Sequence, residues 1–268
     1  MDLATVSAAG WVALALGAVL VGFSKTAVAG VGLLAVATYA TVLPARESTG
    51  VLLLLLLVGD LVAIRAYRRH VDWAILIRLI PSVAVGIVVG VVFVGRVDDT
   101  LMRRTIGGVL LLLVAVHLVR KWLARRRTRR EAASAGAGGP APEEEPVEPG
   151  APRRVVTAGA GVLAGFTSMV ANAGGGVMTV YLLGAGLRVM AFLGTVAWFF
   201  FVVNLTKVPF SIALGLISSQ TLVLLVLMAP AVLVGAFVGR RVVRHLDATT
   251  FEWLVLGFTV LAALNLLR

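Results

Sequence analysis

Few residues of this sequence carry polar or ionisable side chains inside its apolar runs, and several of them fall in two similar stretches. Lys25 stands in Gly22-Phe23-Ser24-Lys25-Thr26, with Gly30 and Gly32 just beyond. A second stretch, Gly165-Phe166-Thr167-Ser168, leads to Asn172, Gly174, Gly175 and Gly176. Small residues let a ligand approach the backbone, hydroxyls donate hydrogen bonds, and a following helix start presents free N–H groups. That combination suits an oxyanion. Lys25 adds positive charge, and neither stretch holds a carboxylate. The alternatives are structural: the glycines permit tight helix packing, and Lys25 anchors a helix end at the cytoplasmic surface.

Asp60 lies deep in another apolar run, a position where an ionisable group is expected to be functional. It could take up a coupling proton or pair with a buried cation; it could equally form a structural salt bridge to Arg65 or a neighbouring helix. Asn204, Lys207 and Ser211 recur at helical spacing and predict one polar stripe, with Pro209 breaking the helix nearby. Lys207 is then an anion ligand, or else snorkels to the outer surface. No catalytic, metal or cofactor site is expected. The chain has no cysteine, and its three histidines, His70, His117 and His245, fall at the ends of apolar runs in no ligand spacing. Ser24 and His117 are the nearest approach to a hydrolase pair, and nothing activates them. Gly30-Val31-Gly32 imitates a dinucleotide fingerprint but has no βαβ unit around it.

The elements that position these residues are membrane helices. Of 268 residues 60% are hydrophobic and only 14% charged, with a mean hydropathy of +1.01. No globular core hides that much apolar surface. A span needs about 20 apolar residues, and suitable runs lie at 3–22, 26–43, 50–67, 73–94 and 101–119. Five more lie at 155–171, 176–187, 189–214, 220–239 and 251–267. The runs at 26–43 and 176–187 are short and opened by glycines, so broken or re-entrant segments are expected there. The first run has no basic region ahead of it and reads as a retained span rather than a signal peptide.

Residues 120–154 differ in character. Arg120, Lys121, Arg125, Arg126, Arg127, Arg129 and Arg130 precede an Ala/Gly/Pro tract with Glu143, Glu144, Glu145 and Glu148. This predicts a disordered cytoplasmic connector between repeats at 1–119 and 155–268. The formal net charge of +11 is placed here and in short loops, which points to phospholipid rather than nucleic acid. The flanking halves echo each other. One offset maps Leu43 onto Leu187, Gly50 onto Gly194 and Asp60 onto Asn204; a second maps Pro81, Gly86 and Gly90 onto Pro230, Gly235 and Gly239. Ten crossings with an external N-terminus gather most of the 24 Lys and Arg on the cytoplasmic side. Five helices per half then make the repeats inverted. The expected fold is an all-α polytopic membrane protein of two such repeats in a bacterial-type cytoplasmic membrane.

Gly22-Phe23-Ser24-Lys25-Thr26 with Gly30-Val31-Gly32, the Asp60 helix running to Tyr67-Arg68-Arg69-His70-Val71-Asp72-Trp73, and Asn204-Leu205-Thr206-Lys207-Val208-Pro209 resemble the TauE/SafE family of sulfite and sulfonate exporters. The resemblance covers nearly all of the chain outside the connector. It implies a polytopic transporter of sulfur-containing anions driven by ion gradients, and no Walker motif is present. The expected site is Ser24, Lys25, Thr26, Gly30, Gly32, Thr167, Ser168, Asn172, Gly174 and Gly175 on one side of the anion, with Asn204 and Lys207 on the other. Asp60 is the expected coupling residue. The expected partners are a small anionic solute and membrane lipid. The other classes are a membrane scaffold without substrate and, further off, an intramembrane hydrolase. The sequence leaves the oligomeric state open.

Overall fold

The computed structural model describes residues 3–26, 31–136, 154–184, 187, 189–242 and 248–268. Among them are ten α-helices and no strand. The first half holds α1 (Ala8–Thr26), α2 (Val31–Val42), α3 (Ala45–Tyr67), α4 (Trp73–Arg96) and α5 (Asp99–Gly136). The second holds α6 (Arg154–Ala171), α7 (Gly174–Gly184), α8 (Val189–Ala213), α9 (Ser219–Val242) and α10 (Ala248–Leu267). Six helical segments are long and apolar enough to cross a membrane. The chain is a multi-pass membrane protein. The segments expected to be short are short: α2 has 12 residues and α7 has 11, about 18 and 16 Å of helix.

Side chains explain where helices begin and which faces they bury. Asp72 caps α4 by accepting from the Ile75 amide at 3.1 Å, and Asp98 caps α5 by accepting from Leu101 at 2.7 Å. Val12, Leu16, Ile77, Val226 and Phe237 remain exposed. Such residues suit lipid contact, because hydrocarbon is as apolar as they are.

Glycine contacts fix the helix directions. A Cβ at Gly17 would meet Tyr39, and one at Gly10 would meet Val42, so α2 returns antiparallel along α1. The Tyr39 hydroxyl donates to the Leu14 carbonyl at 3.0 Å across the same pair. On α8, Gly194 sits against Tyr67 and His70 of the segment ending α3, while Asn204 reaches Asp60. Helices α3 and α8 are therefore antiparallel. They are the third helices of their halves, so the halves are inverted.

The same symmetry exchanges the other partners: α1 packs on α9, and α4 on α6. Gly22 lies against Val232 and Gly235 against Val19; Gly86 lies against Val162 and Gly165 against Val83. In each case a side chain would strike neighbouring backbone. Gly22 and Gly165 thus serve close helix approach, the structural alternative, within unbroken helices. Residues 22–26 and 165–168 are helical, and the break in the second stretch falls at Asn172 and Ala173, between α6 and α7.

Two further expectations are corrected. Residues 120–136, assigned above to the connector, continue α5 as helix; Arg, Lys, Ala and Glu are good helix formers, and α5 supplies a nucleus already formed. Residues 137–153 lie outside the described residues. Pro209 does not end its helix, since α8 runs on to Ala213, as membrane helices allow when neighbours accommodate the freed carbonyl.

Candidate functional site

Where the two halves meet, the polar residues of α1, α3, α6 and α8 join into one largely buried chain. Lys25 Nζ lies 2.6 Å from Asp60 Oδ1. Asp60 Oδ2 accepts from Asn204 Nδ2 at 2.7 Å. Asn204 Oδ1 accepts from Lys207 Nζ at 3.2 Å. Lys207 Nζ also donates to the Ser168 carbonyl at 2.7 Å, to Ser168 Oγ at 3.1 Å and to Asn172 Oδ1 at 2.7 Å. An ammonium has three protons, so four acceptors saturate it. Asn172 Nδ2 then donates to the Thr49 carbonyl on α3 at 2.9 Å.

Asn204 is oriented by this chemistry. Its oxygen must face the ammonium and its NH2 the carboxylate; a flipped amide would set donor against donor. Asn172 is held similarly and has φ 50°, a left-handed conformation that asparagine tolerates better than most residues. It follows the last residue of α6 and turns its side chain toward Lys207.

Asp60, Asn204, Lys207 and Ser168 are all buried. With all three groups ionised, two cations face one anion, so the cluster holds one positive charge in excess. Lys25 is the most accessible ionised member, with 11% of its side chain exposed against 1% for Asp60. Its ammonium sits 4.6 Å from the centroid of the Phe200 ring, a cation–π contact that helps hold it away from water.

The expected residues divide into three groups. Lys25, Asp60, Ser168, Asn172, Asn204 and Lys207 come together. Asp60 pairs with Lys25 rather than Arg65, and Lys25 and Lys207 turn inward instead of reaching headgroups. Ser24, Thr26 and Thr167 bond carbonyls of their own helices, at 2.7 Å to Val21, 3.4 Å to Gly22 and 2.7 Å to Leu163; Thr26 also reaches Ala236 on α9 at 3.0 Å. Gly32 approaches Ser24, Gly174 lies against Ala164 and Ser168, and Gly175 faces Phe200. Gly30 lies outside the described residues.

Two participants were missed. Phe200 lies four residues before Asn204 and seven before Lys207, so it belongs to the same helical stripe and could have been found there. Thr49 takes part through its backbone carbonyl, which no residue type announces.

These features define a class: a helical membrane protein of two inverted halves that enclose a buried cationic cluster at their interface. The model of the sulfite exporter TauE/SafE family matches residues 14–266. The chain belongs to that family, which is one of transporters. No curated protein and no solved structure matches it.

Proposed function

We propose that this chain is a secondary transporter that exports a small sulfur-containing anion, such as sulfite or an organosulfonate, across a bacterial-type cytoplasmic membrane. The observation that carries the reading is the Lys25–Asp60–Asn204–Lys207 chain, with two lysines, Lys207 buried and Lys25 largely so, for one carboxylate. Uncompensated charge is expensive in a membrane interior, and a bound oxyanion would balance it. Family membership supports the substrate class and the direction.

Asp60 acts in this reading as an internal stand-in for the substrate. While ionised it occupies Lys25, and an arriving anion competes with it. An anion that displaces Asp60 from Lys25 leaves a free carboxylate, so Asp60 is the residue at which an ion gradient is coupled to flux. Lys25 is the first contact, being the more exposed cation, with Lys207 and the Ser168–Asn172 turn behind it. The halves rock around the shared site to alternate access.

The test is anion flux in proteoliposomes. Lys25→Met should abolish methanesulfonate and sulfite flux while the protein keeps its elution profile in size-exclusion chromatography. Normal flux in a folded Lys25→Met protein would overturn the site. Flux of neither anion in wild-type protein, with flux of another solute, would overturn the substrate class.

A further inference from the structure

A second basic feature lies on the opposite side of α3. Val58, Leu61, Val62, Arg65 and Ala66 form one face of α3, and with Leu233 and Arg240 of α9 they line a cleft of about 470 Å3. At about 100° per residue, the centre of this face lies about 170° round α3 from Asp60. The cleft therefore opens away from the buried cluster and is not its vestibule. Leu61 and Leu233 on its rim are exposed, and in a membrane that surface meets hydrocarbon.

Arg65 and Arg240 line the cleft together, each near the C-terminal end of its helix. Helices α3 and α9 run in the same direction, since Gly50 lies against Leu216 and Gly59 against Val232. Arg65 and Arg240 each stand two residues before the end of their helix. Both are exposed, and among the described residues neither has a carboxylate within ion-pair distance. Arg241 stacks on Phe237 at 4.9 Å and belongs to the neighbouring surface.

We propose that the α3–α9 cleft binds one anionic phospholipid, its acyl chain along the apolar walls and its phosphate between Arg65 and Arg240. Charge complementarity selects the occupant. The walls exclude a polar solute, and the paired guanidiniums at a helix-end level distinguish an anionic headgroup from a zwitterionic one.

Purified protein in neutral detergent is heated with phosphatidylglycerol, phosphatidylcholine or inorganic phosphate. Phosphatidylglycerol should raise Tm by about 3 °C more than phosphatidylcholine. The difference should vanish in R65Q/R240Q and persist in R125Q/R126Q. No lipid preference, an undiminished preference in R65Q/R240Q, or an equal rise with phosphate alone would each overturn the proposal. If R65Q/R240Q does not fold, native mass spectrometry of Leu233→Trp decides. That variant fills the cleft with both arginines intact and should retain no phosphatidylglycerol; wild-type retention would refute the site.

Discussion

Asn172 carries two duties that substitution can separate. Its φ of 50° ends α6, and its side chain joins Lys207 to Thr49. Asn172→Gly keeps the left-handed turn and removes the ligand; Asn172→Ala removes the ligand and strains the turn. In thermal unfolding the alanine variant should be less stable than the glycine variant by about 1 kcal/mol. Equal stabilities would show that the turn is not strained. Flux should fall in both. Lys207→Met leaves the oxygens of Ser168, Asn172 and Asn204 without their donor and should cost about 1–3 kcal/mol. A loss below about 1 kcal/mol would mean Lys207 is not held as described. At this scale the sequence was informative where a charged residue interrupts apolar helix, as at Lys25, Asp60 and Lys207. It was ambiguous for Ser24, Thr26 and Thr167, because a hydroxyl in a membrane helix bonds its own backbone as readily as a ligand, and residue type does not separate the two.

Glycines divide the helices into packed and open faces. Gly22 meets the backbone of α9 at Val232, whereas a methyl group added at Gly108 on α5 would have nothing within 4 Å. Gly108→Ala should therefore raise stability by up to about 1 kcal/mol through helix propensity, while Gly22→Ala should lower it by about 1–3 kcal/mol through overpacking. Chemical unfolding in mild detergent reads both. Destabilisation by Gly108→Ala with no effect of Gly22→Ala would reverse the assignment of faces. The ten apolar runs could be found from length and hydropathy alone. Their ends were less plain: α1 runs to Thr26, past the expected end at 22, because Gly22 is accommodated by its α9 partner, a long-range fact. The basic run after residue 119 was read as coil because its charge suggested solvation, yet its residues favour helix and simply extend α5.

At the scale of the molecule, inversion joins the two offsets seen in the sequence to one geometry. Asp60 and Asn204 are equivalent residues of the two halves, and they touch. Their contact marks the pseudo-twofold axis, so the site has unequal chemistry at symmetric positions. The absence of native cysteine makes the topology simple to check. Single cysteines at Thr100 and Ser219 should react with a membrane-impermeant maleimide from one side, and those at Arg69 and Arg241 from the other. Labelling of Ser219 and Arg69 positions from the same side would contradict the inverted arrangement.

The central claim is that Asp60 holds the place of a bound anion, and binding of methanesulfonate, whose charge does not change near neutral pH, tests it most directly. Calorimetric titration compares wild-type protein with Asp60→Asn at one pH. Asp60→Asn should bind about tenfold or more tightly, because a unit charge at close range outweighs the 1.4 kcal/mol that a factor of ten requires. Loss of binding in a folded Asp60→Asn protein, or an affinity no higher than that of wild type, would contradict the account.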